Sequence, residues 1–332
     1  MKGGGAPRIA IVTRHDDFHA YVVQGALASR GAACAIVAVD HLPSDGAMSW
    51  SSSGEVARPV VHDVDGGEVA VADLDLVWWR RLTGEPRIPD WVRDEAARDL
   101  VVGDCRATVL GIFLTAFRGR WVSHPEATRV AQNKLVQLDA AVRAGLRVPR
   151  TLVSQDPATV RRFCADLEWE VVVKTVGGSQ KTPLMTGRVT PELLADDRPV
   201  AVSPAIYQEL VPGTRHLRIS CFGPAVHTAM LETELLDWRY PMDAEVQPWD
   251  LDAGTAGRLL AVIDDLGLRM GVADMKLGPD GEPVWLEVNP QGQFLFVEGM
   301  CGMPLTEAFV DFLLAEAAMA PAAAASQAAW RL

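Results

Sequence analysis

The chain has 332 residues, 49% of them hydrophobic and 22% charged, which supplies ample apolar material for a core and excludes a mainly disordered chain. That length suits about two domains at ~150 residues each. Lys and Arg number 31 against 43 Asp and Glu, a net charge of −12, so the surface repels nucleic-acid phosphate, and a bound polyphosphate must be held by a few placed cations with a metal.

The first segment alternates strand and helix signals. Arg8–Thr13 (RIAIVT) reads as a buried strand, Phe18 to Arg30 has helical spacing, Gly31 stops it, and Cys34–Val39 is a second strand. Val69–Trp79 predicts a third strand ending in Trp78-Trp79-Arg80-Arg81, which reads as packing at a domain interface, and Pro89 to Phe117 predicts one long helix or two. Pro43–Gly54 is a polar loop. The rhythm implies a small open sheet up to about residue 120. No G-x-G-x-x-G follows the first strand, so a dinucleotide fingerprint is absent.

A second segment opens at Ser123-His124-Pro125-Glu126, a capping-box pattern. Asn133 to Ala144 predicts a helix stopped by Gly145 and Pro149, followed by the strand Val171–Lys174, a loop over Thr175–Pro183 and a strand near Leu184–Val189. A third segment holds Ala205–Val211, strands at Arg218–Phe222 and near Val226–Leu231, a helix over Thr255–Leu266, a hairpin from Gly271 to Asn289 and a last helix from Leu305 to about Ala318.

Five cysteines, at 34, 105, 164, 221 and 301, lie far apart and form no C-x-x-C. This is neither a disulfide framework nor a zinc site and suits a reducing cytosol, so a cytoplasmic protein is expected. Met1 to Arg8 has no apolar signal core and no run of 18 apolar residues occurs, so no membrane association is expected. The alanine-rich stretch after Ala318 reads as a fraying, disordered tail.

The hairpin Gly271 to Gln293 (GVADMKLGPDGEPVWLEVNPQGQ) is the most informative stretch. Asp280-Gly281 is a strong two-residue turn signal, and a register centred on it sets Asp274 opposite Glu287. Asn289 then points from the same face as Glu287. Opposed carboxylates with Cβ atoms ~5 Å apart repel unless a cation lies between them. Two carboxylates and an amide oxygen are hard donors suited to Mg²⁺ that also binds substrate phosphates. The competing reading is a solvated face partly neutralised by Lys276.

Lys174 ends the run VVVK, whose β-branched residues predict burial, so its ammonium needs an anion, either a core carboxylate or a ligand phosphate. The following Gly177-Gly178-Ser179-Gln180-Lys181-Thr182 fails the G-x-x-x-x-G-K-[ST] test, and Pro183 and Gly187 argue against a following helix. A strand–loop–strand flap fits better, its backbone N–H groups able to close over phosphates, and an ordinary hairpin is the alternative. Lys134 beside Asn133 reads in isolation as a surface lysine. Arg218 and Arg239 read as salt-bridge partners. No G-x-S-x-G, H-E-x-x-H or Cys/His pattern points to nucleophilic catalysis.

Taken as an ordered set, these pieces resemble the ATP-grasp superfamily from roughly Ser123 to Leu314: Asn133-Lys134, the lysine of VVVK, Tyr207-Gln208-Glu209-Leu210-Val211, an arginine on the next strand, and Asp274 … Glu287-x-Asn289. More narrowly, the chain resembles the graspetide synthetases, the microviridin-type peptide ligases. The segments that carry this are Trp78-Trp79-Arg80-Arg81, HPEATRVAQNKLVQLDAAVRAGLRVPRTLVS, Leu236-Asp237-Trp238-Arg239 and LEVNPQGQFLFVE from Leu286 to Glu298. Gln291 and Phe294 are mild variants of the last motif.

The resemblance implies an α/β protein with α+β lobes: an N-terminal open-sheet domain over 1–122, a central ATP-grasp subdomain over 123–204 and a C-terminal one over 205–318, with 319–332 as the tail. ATP would lie between the last two. Lys134 and Lys174 would contact its phosphates, with Gly177, Gly178 and Ser179 closing over them. Gln208, Glu209, Leu210 and Val211 would hold adenine, and Asp274, Glu287 and Asn289 would bind Mg²⁺. Arg218 and Arg239 would stabilise the transferred phosphate and an acyl-phosphate. One departure stands out: His216 occupies a place, two before the strand arginine, where related ligases carry an acidic ribose contact, which shifts nucleoside binding toward Glu209. The implied activity joins Asp or Glu side chains of a ribosomal precursor peptide to Ser/Thr hydroxyls or Lys amines, in a homodimer. A ligase adding free amino acids to a carboxylate and a catalytically inactive nucleotide-binding regulator are the alternatives. The intact Asp274, Glu287 and Asn289 set argues against the regulator.

Overall fold

The apolar run Arg8–Thr13 forms β1, one of the two inner strands of a parallel four-stranded sheet ordered β2-β1-β5-β6, with β2 at Ala33–Ala38, β5 at Leu76–Trp79 and β6 at Arg120–Val122. Helix α1 (Phe18–Ser29) buries Ala20, Val23 and Leu27. The next long helix, α2 (Glu95–Ala116), buries Val109, Ile112 and Phe113, and these pack in one core with Val12, Val77 and Trp79. The expected strand over Val69–Trp79 is divided. Glu68–Ala70 (β4) pairs antiparallel with Val60–His62 (β3), a short 3-10 turn covers Val71–Asp73, and β5 begins only at Leu76. The break falls where Asp75 docks on the start of β1, its carboxylate accepting from the Arg8 amide at 2.9 Å and its own amide donating to the Arg8 carbonyl at 2.8 Å. Helix α2 starts at Glu95 rather than Pro89, because the Asp94 side chain caps it by accepting from the Ala97 amide.

The structure is a computed structural model that describes residues 6–44, 47–53, 59–82, 87–177, 185–238 and 244–319. The chain divides into two units, Met1–His124 with Pro304–Leu332, and Pro125–Met303. The C-terminal helix Leu305–Ala318 (here α9) belongs to the first unit, whereas the sequence reading ran the third segment on to 318. Its apolar stripe decides this. Phe309, Val310 and Leu313 are fully buried, and Phe309 meets Trp78 of β5 edge-on at 4.7 Å. Arg30, at the C-terminal cap of α1, binds Asp311 at 2.6 Å and Glu307 at 3.2 Å. The expected tail lies outside the described residues from 320 onward. Among the described residues no helix is long and apolar enough to cross a membrane.

The second unit holds two antiparallel sheets with separate cores. In the first, β7 (Thr151–Ser154), β10 (Ala205–Glu209), β8 (Val171–Thr175) and β9 (Gly187–Arg188) lie in that order. They pack with α5 (Pro157–Asp166) and α6 (Asp197–Val202) through Val160, Cys164, Val171, Val200 and Tyr207. Strand β10 pairs with β7 on one side and β8 on the other, so its chain neighbours in space lie before the 204/205 boundary read from the sequence. The second sheet is ordered β13-β12-β11-β14-β15, with β11 at Arg215–Phe222, β12 at Ala225–Glu232, β13 at Glu245–Trp249, β14 at Met270–Leu277 and β15 at Pro283–Asn289. Helices α4 (Lys134–Arg143) and α7 (Ala253–Asp265) cover it over a core including Leu217, Ile219, Leu259, Val262, Met275 and Trp285. Helix α3 (Pro125–Ala131) leads into α4, and α8 (Leu295–Cys301) follows β15. Strand β13 escaped the sequence reading because it is a largely exposed edge strand carrying Pro248, with no alternating apolar face.

Candidate functional site

The hairpin β14–β15 sets the geometry. Asp274 pairs with Glu287, Ala273 with Val288 and Val272 with Asn289, the partners the sequence register assigned. The turn differs from expectation. Gly278 donates to the Glu282 carbonyl, and Gly281, at φ +81°, donates to the Gly278 carbonyl. The loop therefore has Pro279, Asp280 and Gly281 between its closing residues, and from Met275↔Trp285 to Leu277↔Pro283 the ladder sits one residue off. A bulge opposite Asp274 absorbs Leu286 and restores the register. The bulge also sorts the faces. Trp285 and Val288 enter the core, while Leu286 and Glu287 both line the cavity described next. Strict alternation would have put Trp285 and Glu287 on one face.

That cavity, of about 740 Å³, lies within the second unit. Lys134, Lys174, Gly177, Gln208, Glu209, Leu210, Val211, His216, Asp274 and Glu287 all line it, so the structure gathers residues spread over nearly half the sequence. Gly178, Ser179 and Arg239 lie outside the described residues. Asn289 is exposed and does not line the cavity. It sits two residues beyond Glu287, on the face that the register gives to Asp274.

The cations in and beside the cavity are held by named partners. Arg218 on β11 stands opposite Asp274 on β14. Its Nη1 donates to both carboxylate oxygens, at 2.9 and 2.8 Å, and its Nη2 to the Gln293 carbonyl at 2.9 Å. The guanidinium lies 5.6 Å from the Trp238 ring and 5.8 Å from the Phe296 ring, which stack on each other at 5.5 Å. Among the described residues its Nε has no hydrogen-bond partner. Lys134 is the first residue of α4, whose N-terminus Asn133 caps by accepting from the Leu135 amide. The Lys134 ammonium reaches Glu287 at 3.2 Å. Lys174 donates to the Gln208 side-chain oxygen at 2.8 Å, and Gln208 in turn donates to Thr151 at 2.9 Å. The strand lysine thus meets an amide oxygen on the neighbouring strand, a third possibility beside the two the sequence left open.

His216 and Lys276 face each other across β11 and β14, two residues along from Arg218 and Asp274, and both are buried in the cavity wall. Burial, and secondarily the Lys276 ammonium, pull the His216 imidazole down to about 4 against the opposing pull of Asp237, so it is neutral at pH 7. Burial, then Arg188, lowers Lys276. Only the competing, solvated-face reading of the hairpin gives Lys276 a place, as a surface counter-charge, and its burial here speaks against that reading. Its place two residues after Asp274 was the signal that it shares the cavity face.

Two carboxylates that repel when bare, opposed in register, partly buried and turned toward a cavity, fit a divalent cation by donor type and arrangement. Arg218 and Lys134 balance their charge as the structure stands.

The two sheets of the second unit, the cavity that both line and the open sheet of the first unit define the ATP-grasp fold. Solved structures to which the chain is similar include macrocyclases and ATP-grasp ligases bound to precursor peptides. The macrocyclase MdnC from Microcystis aeruginosa MRC, bound to its precursor peptide MdnA, is 26% identical with a TM-score of 0.84, over 93% of this chain and 99% of that one. An ATP-grasp ligase from Chryseobacterium gregarium, in complex with ADP and a leader and core peptide, is 21% identical with a TM-score of 0.82, over 93% and 97%. The ATP-grasp ligase PsnB, with a minimal precursor, Mg and ADP, is 25% identical with a TM-score of 0.77, over 93% and 97%. No protein-family model matches the sequence, and no curated protein matches it.

Proposed function

We propose that the chain is an ADP-forming ATP-grasp ligase that closes macrocycles in a ribosomally made precursor peptide. It would join Asp or Glu side chains to Ser/Thr hydroxyls as esters or to Lys amines as amides. The carrying observation is the cross-strand pair Asp274–Glu287 on the cavity face, each carboxylate held by a cation, in a chain that shares its fold almost end to end with peptide macrocyclases.

In this reading Asp274, Glu287 and Asn289 hold Mg²⁺, which when bound neutralises phosphate charge and polarises the transferred group. Lys134 and Lys174 bind the phosphates of ATP. Gly177, Gly178 and Ser179 lie over them, and Gln208 to Val211 hold the adenine. His216, neutral and with an unpartnered buried Nε2 among the described residues, offers a hydrogen bond to the nucleoside. A carboxylate is a poor electrophile. Transfer of the terminal phosphoryl group of ATP to its oxygen releases ADP and leaves an acyl-phosphate. The hydroxyl or amine then attacks the acyl carbon, gives up its proton, and phosphate departs. Arg218, fixed on Asp274 and the Gln293 carbonyl, neutralises the transferred phosphate, with Arg239 as its partner. No protein nucleophile is required.

The test is co-expression of the protein with short Thr/Ser- and Asp/Glu-rich peptides encoded beside it, read by mass spectrometry. Each bond formed removes one water, about 18 Da by the stoichiometry of acyl transfer. Addition of an amino-acid mass would indicate a ligase of free amino acids. Absence of ADP release with every candidate peptide, despite tight ATP binding, would indicate a regulator.

A further inference from the structure

We propose that Lys134 makes metal binding depend on nucleotide, because its ammonium occupies Glu287 until a phosphate draws it away. The inference rests on the ligase reading above and adds an order of binding to it.

Among the described residues, ion pairs set Asp274 against Arg218 and Glu287 against Lys134 without a ligand. A divalent cation entering between the carboxylates would add two positive charges to these pairs. It would also sit within about 5 Å of any ammonium still on Glu287, where like charges repel strongly in a partly buried site. A nucleoside diphosphate brings about three negative charges at neutral pH, which offsets both the metal and the displaced lysine.

The two cations differ in freedom to move. Arg218 is anchored by two hydrogen bonds to Asp274, one to the Gln293 carbonyl and two aromatic faces, and only 7% of its side chain is accessible. Lys134 is the first residue of its helix and is 30% accessible, and among the described residues its ion pair is a single one, at 3.2 Å through a flexible stem. Lys134 is therefore the cation that yields. In the nucleotide-free protein it competes with metal for Glu287. With nucleotide bound it turns to a phosphate, and the carboxylate is released to the metal. The coupling is reciprocal, so metal must tighten nucleotide by the factor by which nucleotide tightens metal.

The experiment measures binding of Mn²⁺, as a spectroscopic substitute for Mg²⁺, by the signal of the free ion, with and without ADP. It compares the native chain, Lys134→Met and Lys134→Arg, each checked by circular dichroism and melting temperature. The native chain should bind Mn²⁺ weakly alone and at least about tenfold more tightly with ADP, within the usual range of coupling. Lys134→Met should bind Mn²⁺ alone about tenfold more tightly than the native chain, with a correspondingly smaller gain from ADP. Lys134→Arg, which keeps the charge, should behave as the native chain does. Adding Asp274→Asn to Lys134→Met should abolish the gain, which locates the ion. Nucleotide-free Mn²⁺ affinity that is unchanged or weaker in Lys134→Met, while ADP still tightens Mn²⁺ in the native chain, overturns the inference and leaves the ligase reading intact. No Mn²⁺ binding to the native chain even with ADP overturns the metal site itself.

Discussion

The carboxylates of the cavity and the buried pair in the open sheet put different demands on their partners. Glu287 leans on Lys134, whose ammonium is accessible enough to rehydrate when its partner is lost. Glu287→Gln should therefore keep the fold and lose at least roughly 100-fold in kcat, as for removal of a preorganised electrostatic group. Native-like circular dichroism with native turnover would contradict its metal role. Asp274→Ala should abolish turnover as well, but it strands the buried Arg218, so its melting temperature should fall further than that of Glu287→Gln. Lys174→Ala should weaken ATP binding, measured by calorimetry, and unchanged affinity would remove the lysine from the phosphate site. Asp17 lies in the first unit, where its carboxylate meets the fully buried Arg80 at 2.5 Å and accepts from Thr13 at 2.7 Å. Burial alone would raise Asp17, but Arg80 and Thr13 outweigh it and the net shift is downward. A lowered carboxylate contributes stability above its unfolded value, and that stability drains away as pH falls through the folded one. Asp17→Asn should cost about 3–5 kcal/mol at pH 7, as breaking one side of a buried pair does. In urea melts the difference from the native chain should shrink as pH drops below the ordinary carboxylate range.

At the scale of elements, the loop after β15 is held close by Gly292. A Cβ there would stand 2.3 Å from the Val272 Cβ on β14 and 3.3 Å from the Asn289 Cβ. Gly292→Ala must push the loop off β14, which should cost about 1–3 kcal/mol and displace Asn289, so activity should fall more than the melting temperature alone explains. A melting curve and ATPase rate matching the native chain would show that the loop yields freely. This hairpin also marks what the sequence can reveal. The opposition of Asp274 and Glu287 was legible, yet two local inferences behind it were not: the loop is one residue longer than Asp280-Gly281 suggests, and the bulge at Leu286 compensates for it. Turn chemistry is local and visible in the residues, whereas a bulge is imposed by Trp285 and Val288 both seeking the core. Capped and stopped helices such as α4 were read to within a residue or two, because Asn133 and Gly145 act locally. Polar edge strands such as β13, and the break before Asp75, were not, because partners distant in sequence decide them.

At the scale of the whole chain, the last helix among the described residues returns to the first sheet. Helix α9 carries buried Phe309, Val310 and Leu313 onto α1 and β5, and its Glu316, itself 3% exposed, receives Arg120 of β6 at 2.9 Å. No sequence period could announce this, since an amphipathic stripe shows that a helix is covered and not by which element. The face of the open sheet that carries Trp78 is consequently covered by a helix far away in sequence, a long-range contact of the kind that raises contact order. Phe309→Ala should destabilise the first unit by about 3–5 kcal/mol, the range for truncating a fully buried aromatic side chain. Removing the chain after Pro304 should go further and expose the Trp78 face. Tryptophan fluorescence should then shift to longer wavelength, and amide exchange should rise in β1 and β5 while β11, β14 and β15 keep their protection. Equal loss of protection in both units on truncation would mean that they fold as one cooperative block, and the division at His124 would have no energetic meaning.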